Sequence, residues 1–135
     1  MRIGFKLVLL CCLVLVAAAG AFAYQISAIQ VFNATAVLAS GTGTSSAVDL
    51  RNVVNTGNFA LYYTIGGAGT ATLTYSTSAT ASGTFVTAAT AIATGKTAGT
   101  YYSPFAPPVA PWIKILAVET GTAQPITVTA RLVVQ

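Results

Sequence analysis

The feature that most constrains this chain is a regular alternation near its C-terminus, where residues 126–134 read ITVTARLVV. Every second residue is apolar: Ile126, Val128, Ala130, Leu132 and Val134. Because successive side chains of a β-strand point to opposite faces of the sheet, this pattern predicts a strand with one face in a core. No segment beyond residue 23 repeats apolar residues at the spacing of an amphipathic helix.

Other segments show related patterns. Residues 59–65 and 71–76 also alternate, and the turn GGAG at 66–69 separates them. Less regular runs rich in β-branched and aromatic residues are predicted as further strands: residues 26–38, 47–53, 84–88, 100–103 and 112–118. The segments 41–46 and 77–83 are predicted as loops, the second at a hairpin tip. About eight short strands predict an all-β fold, a single antiparallel β-sandwich or jelly roll, with a β-barrel as the alternative.

The strand at 112–118 follows the proline-rich stretch SPFAPPVAPW, whose prolines cannot donate hydrogen bonds to a ladder. We predict that this strand forms a hairpin with residues 126–134 across a turn near Gly121. Its core side would then be Ile113, Ile115 and Ala117. Its outer side, beside Thr127, Thr129 and Arg131, would be Trp112, Lys114, Leu116 and Val118. Such an outer strip is too apolar for a freely solvated face, so either the chain or another molecule is expected to cover it.

The N-terminus predicts export. Arg2 and Lys6 precede an apolar run at 7–19, and Ala21-Phe22-Ala23 places small residues where signal peptidase cleaves. We therefore predict a secretory signal peptide at 1–23, cleavage after Ala23, a domain at 24–135, and a secreted or periplasmic location. The run is shorter than the roughly 20 residues of a membrane span. An uncleaved anchor is the alternative, and only then would a membrane be a partner.

The predicted mature chain carries few charges and no cysteine. Its basic residues are Arg51, Lys96, Lys114 and Arg131, and its acidic residues are Asp49 and Glu119. Nucleic-acid binding needs clustered Lys and Arg, whereas these basic residues are scattered, so no nucleic-acid partner is expected. Sparse charge suits packing against copies of the same chain or other subunits, and a stable monomer solvated by its many threonines is the alternative.

Most catalytic chemistries lack the residues they require. The chain has no histidine, which excludes a Ser-His-Asp triad and a histidine metal site. TGKT at 94–97 has Thr90 where a phosphate-binding loop needs glycine, so it is predicted as a turn. Asp49 and Glu119 are the remaining candidates for a glycosidase pair, but Asp49 is expected to pair with Arg51 and Glu119 to end a strand. We predict no enzymatic activity, no metal and no cofactor.

Exposed aromatic side chains suggest one binding function. Tyr62-Tyr63 and Tyr101-Tyr102 are adjacent pairs, so in strands each pair points to opposite faces. One interpretation is that these tyrosines close the second face of the sandwich. The other is a carbohydrate-binding module that uses Trp112 and a Tyr101/Tyr102 platform.

Four segments carry a resemblance to a known group: DLRN at 49–52, FALYYTIGGAGTATLTYSTS at 59–78, GTFV at 83–86 and APWIKILAVETGTAQPITVTARL at 110–132. The chain resembles a loose group of small β-sandwich proteins found in bacteria and among tailed-phage structural genes. The resemblance implies a β-sandwich and a role as a virion surface or tail component.

These observations predict a non-catalytic, exported structural or interaction protein, and the resemblance implies a component of a phage-derived particle or surface assembly. Glycan binding is the alternative. The candidate interaction surface comprises Trp112, Lys114, Leu116, Arg131, Tyr101 and Tyr102.

Overall fold

The computed structural model describes residues 26–53, 57–121 and 124–135. The predicted signal peptide at 1–23 and its cleavage position lie outside these ranges. Within them the chain forms strands and no helix, so the all-β prediction is confirmed and no membrane-spanning helix is present there. The strands are β1 (Ser27–Val37), β2 (Thr42–Thr44), β3 (Val48–Asp49), β4 (Phe59–Gly67), β5 (Ala71–Ser78), β6 (Val86–Thr87), β7 (Ala93–Lys96), β8 (Gly99–Phe105), β9 (Trp112–Glu119) and β10 (Ile126–Val134).

The strands form two antiparallel sheets that pack together as a sandwich rather than as the alternative barrel. Sheet 1 has the order β1-β10-β4-β8. In sheet 2, β9 and β5 are central neighbours; β2 and β3 pair with the free side of β9, and β6 and β7 pair with the free side of β5. β2 and β3 occupy one position in sheet 2, and β6 and β7 occupy another, so the ten strands fill eight positions. Numbered along the chain, these positions have the order 1-8-3-6 in sheet 1 and 2-7-4-5 in sheet 2. This is the eight-position arrangement of a jelly roll.

The core lies between the sheets and is formed by the alternating residues identified in the sequence. On β10, Val128, Leu132 and Val134 are fully buried, and the residues between the apolar ones are more exposed. On β9, the predicted core residues Ile113, Ile115 and Ala117 are fully buried as well. The face assignments of both strands are therefore confirmed.

The predicted hairpin between β9 and β10 is wrong. β10 pairs with β1 and β4 in sheet 1, whereas β9 pairs with β2, β3 and β5 in sheet 2. Each strand has one continuous apolar face, and the two faces meet across the core instead of side by side. Alternation determines which face of a strand is buried, but it does not determine the neighbouring strand.

Two short strands lie where loops or turns were predicted. β2 falls inside the predicted loop at 41–46, and β7 includes most of the TGKT segment. Runs of three or four residues are too short for alternation to be recognised, and both strands exist because they pair with longer ones, β9 and β5. The hairpin tip predicted within 77–83 is confirmed, since β5 and β6 pair across it, but the loop begins later than predicted because Thr77 and Ser78 belong to β5. The strand after the prolines begins at Trp112 as expected.

Candidate interaction surfaces

The predicted interaction residues lie on different faces of the sandwich. Trp112, Lys114 and Leu116 alternate with the buried residues of β9 and lie on the outer face of sheet 2. Arg131 and Tyr102 lie on the outer face of sheet 1. The outer residues of β9 are therefore not beside Thr127, Thr129 and Arg131, because that expectation depended on the incorrect hairpin.

The outer strip of β9 is partly covered by the chain itself. The Arg51 guanidinium carbon lies 4.9 Å from the centre of the Trp112 ring. The Lys114 ammonium lies 4.1 Å from the centre of the Phe85 ring, which belongs to the β5–β6 loop. Trp112, Lys114 and Leu116 are all half-buried. Cation–π contacts of this kind shield aromatic faces from water, so this strip offers little free aromatic surface.

Asp49 forms the predicted surface ion pair. Its carboxylate accepts hydrogen bonds from Arg51 Nε at 2.9 Å and Arg51 Nη2 at 2.7 Å. The hydrogen bonds from the Arg51 side chain and backbone lower the pKa of Asp49 from 3.8 to about 2. Because Arg51 also covers Trp112, these residues form one local cluster at the start of β9.

Glu119 lies at the opposite end of β9 and is buried. Its carboxylate accepts the backbone N–H of Ser40 at 2.8 Å and that of Thr70 at 3.4 Å. Asp49 pairs in register with Trp112, which is seven residues before Glu119 along the strand, or about 23 Å at 3.3 Å per residue. A glycosidase pair needs a separation below about 10 Å, so these two acids do not form one.

The Tyr101/Tyr102 platform is not formed either. Tyr101 points toward the side of the core, where its ring stacks on the buried Tyr63 with centroids 5.3 Å apart. Its hydroxyl donates to the Thr97 carbonyl at 3.1 Å. Burial raises the pKa of Tyr63, whose hydroxyl lies 3.2 Å from Ser103 Oγ. Tyr63 and Tyr101 therefore belong to the packed interior and its margin, whereas Tyr62 and Tyr102 are exposed, so each adjacent pair points to opposite faces as its alternation predicts.

The outward-facing tyrosines instead form a row across sheet 1. Tyr62 on β4 pairs in register with Tyr102 on β8, and on its other side with Arg131 on β10. Tyr62 is 49% exposed and Tyr102 is 63% exposed. Arg131 Nε donates to Gln30 Oε1 on β1 at 3.0 Å, so the row crosses all four strands of the sheet.

An open pocket adjoins this row at one end of sheet 1. Its volume is about 440 Å³, and its apolar lining includes Ile26, Tyr102, Pro104 and Val133. The sequence indicates Tyr102 and Arg131 as candidate interaction residues, but it does not indicate that Tyr62 and Gln30 are their neighbours. Alternation does indicate that Tyr62 faces away from Leu61 and Tyr63, but only the strand order places it beside Tyr102.

Metal-ligating side chains do not cluster in the described ranges: no group of three or more His, Cys, Asp or Glu residues lies close enough to hold an ion there.

No protein-family model matches the chain, and no curated protein matches it. Among solved structures, the fold is similar to a chain from the structure of infectious bursal disease virus, Gx strain, with a TM-score of 0.46 and 14% sequence identity. The match covers 82% of this chain and 31% of that chain, so this chain spans about a third of its length.

Proposed function

We propose that this protein is an exported, non-catalytic structural protein that assembles with copies of itself or with other subunits, as a component of a phage-derived particle or a surface assembly. The observation that carries the proposal is the low charge of the outer surface together with its exposed apolar side chains. Six large hydrophobic residues in the described ranges are exposed: Ile26, Leu38, Tyr62, Val86, Tyr102 and Val109.

The distribution of charge supports the same proposal. Asp49 is held by Arg51, and Glu119 is buried under two backbone N–H groups. Neither acid therefore offers a free carboxylate on the surface. Charged side chains of both signs normally keep a secreted domain monomeric, and a surface with few of them favours association with other protein.

The assembly proposal is tested on the full chain after export. The protein is purified after the expressing cell has processed it, without further trimming. Its mass is then measured by size-exclusion chromatography with light scattering across a range of concentrations. Electron microscopy then shows whether ordered particles form. We expect oligomers or particles; a monomer at every concentration that also binds no cell or particle surface would contradict the proposal.

Export is tested independently by mass spectrometry of the N-terminus. Cleavage after Ala23 gives a mature protein that begins at Tyr24. Recovery of the uncleaved chain in the membrane fraction would instead support the anchor alternative, and recovery in the cytoplasm would contradict export.

Glycan binding is the second candidate function, and the Tyr62–Tyr102 row is the observation that favours it. Two exposed rings on neighbouring strands present flat surfaces on which a sugar face can stack, and Arg131 supplies hydrogen-bond donors beside them. We expect Tyr62→Ala or Tyr102→Ala to abolish binding on a glycan array, while Trp112→Ala on the other sheet leaves binding intact. An array without a hit for the wild-type protein contradicts this candidate.

A further inference from the structure

The two open sheets of this sandwich have four edges, and no strand in residues 26–53, 57–121 or 124–135 pairs with the outer backbone N–H and C=O groups of these edges. In sheet 2 the edge strands β2, β3, β6 and β7 have two to four residues each. Each edge of sheet 2 is divided between two such strands, so neither edge presents one continuous strand to a partner. The edges of sheet 2 are therefore poor sites for strand addition.

The β8 edge of sheet 1 is also blunted. Pro104 lies within β8 and lacks an N–H, and Gly99 begins the strand with a φ of 155°. In addition, the Lys96 ammonium lies 5.2 Å from the Tyr101 ring centre on this side of the sandwich. A proline and a nearby lysine are two of the devices by which natural sheets prevent edge pairing.

The β1 edge lacks these devices along its first residues. β1 is eleven residues long, reads SAIQVFNATAV, and contains neither a charged residue nor a proline. Its ladder has irregularities between Gln30 and Phe32 and between Phe32 and Thr35, which interrupt the later part of the strand. Before them, Ser27–Gln30 stays in regular register with β10.

The core side of this segment is incompletely covered. Ile29 and Val31 are half-buried and pack at the margin of the core, whereas Leu132, the register partner of Ile29 on β10, is fully buried. A strand added outside β1 would complete the burial of these two side chains as well as the backbone hydrogen bonding.

We infer that residues Ser27–Val31 pair with the same segment of a second copy of this chain, antiparallel across a two-fold axis, to join two copies of sheet 1 into one continuous sheet. The inference rests on the proposed assembly function and assigns its interface. A two-fold axis at Ile29 places Ile29 of one chain opposite Ile29 of the second copy. It also places Ala28 of each chain opposite Gln30 of the other. No charged residue of the segment meets another, so pairing with a copy carries no like-charge penalty.

The test compares two lysine variants of the full chain. Ala28→Lys adds a charge to the exposed face of the β1 edge. Thr127→Lys is the matched control, because it adds the same charge to an exposed position on the same face of sheet 1 but on the central strand β10. We expect Ala28→Lys to raise the dimer dissociation constant by roughly tenfold or more, and Thr127→Lys to leave it within about twofold.

A cross-linking measurement accompanies the lysine variants, so that a folding defect in Ala28→Lys does not decide the question. Ile29→Cys is expected to form a disulfide between two chains under mild oxidation, while Thr127→Cys is not. Equal association of both lysine variants, or equal cross-linking of both cysteine variants, would overturn the β1 interface while leaving assembly itself intact. A wild-type chain that never associates would overturn both the interface and the assembly proposal.

Discussion

Glu119 shows how a residue that looks catalytic in the sequence can have a structural role. Its buried carboxylate accepts two backbone N–H groups, one from the turn after β1 and one from the turn before β5. We expect Glu119→Gln to lower the free energy of unfolding by about 1–3 kcal/mol, because the amide keeps only one acceptor oxygen and directs its NH₂ group at a donor. Urea denaturation measures the change. A loss no larger than that caused by Asp49→Asn would contradict this role.

Asp49 gives a pH-dependent prediction of smaller size. Arg51 lowers its folded-state pKa from 3.8 to about 2, so the folded state favours the ionised carboxylate. The pair therefore stabilises the fold above pH 4, and this contribution is lost as the pH falls from about 4 to about 2. Because the side chains are 60% and 31% exposed, the effect is expected to be small and to weaken in high salt.

The measurement is thermal unfolding of the wild-type protein and Asp49→Asn between pH 6 and pH 2. The difference between their midpoints should shrink as the pH falls through this window. A difference that stays constant from pH 6 to pH 2 would show that the ion pair does not contribute.

At the residue scale, the sequence predicted local partnerships and missed distant ones. Asp49 and Arg51 are two positions apart, but Arg51 lies in the turn after β3 rather than on the same strand. The backbone N–H and the guanidinium of Arg51 both donate to the Asp49 carboxylate, so the turn itself holds the pair together. Glu119 with Ser40, and Tyr62 with Tyr102, are separated by many residues and meet only through the order of strands. Propensity and periodicity carry no information about that order.

At the scale of elements, strand identity was easier to predict than strand pairing. β4, β5 and β10 follow from alternation because each has one buried face. β9 and β10 also have correct faces but different neighbours from those predicted, since consecutive strands of this fold mostly lie in opposite sheets.

β2 illustrates an element whose place depends on a single small residue. A Cβ added at Gly43 would lie 2.9 Å from Cγ2 of Val37, which is buried on β1 and has little room to move. We expect Gly43→Ala to reduce the free energy of unfolding by about 1–3 kcal/mol. Gly66→Ala is the control, because its nearest neighbour would be 3.9 Å away. Similar unfolding free energies for the two variants would show that β2 accommodates the methyl group freely.

At the scale of the whole molecule, the fold closes through pairing of the two ends of the described chain. β10 lies between β1 and β4 in sheet 1, and its apolar residues form much of one core face. The first described strand therefore has no neighbour in its sheet until the last strand is in place. Pairing of this kind joins residues that are distant in sequence. The chain loses entropy when the long intervening loop closes, and the burial that offsets this loss comes late in folding.

This topology predicts that the domain folds only when its last strand is present. Deletion of residues 126–135 would separate β1 from β4 and expose the core face of sheet 2, so we expect loss of the cooperative unfolding transition rather than a modest decrease in stability. A polar tag added after the exposed Gln135 is the control and should leave the transition unchanged. Circular dichroism with thermal melting, supported by the dispersion of amide NMR signals, distinguishes the two outcomes. A truncated chain that still unfolds cooperatively would show that β1, β4 and β8 form a sheet without β10, contrary to the closure argued from the strand order.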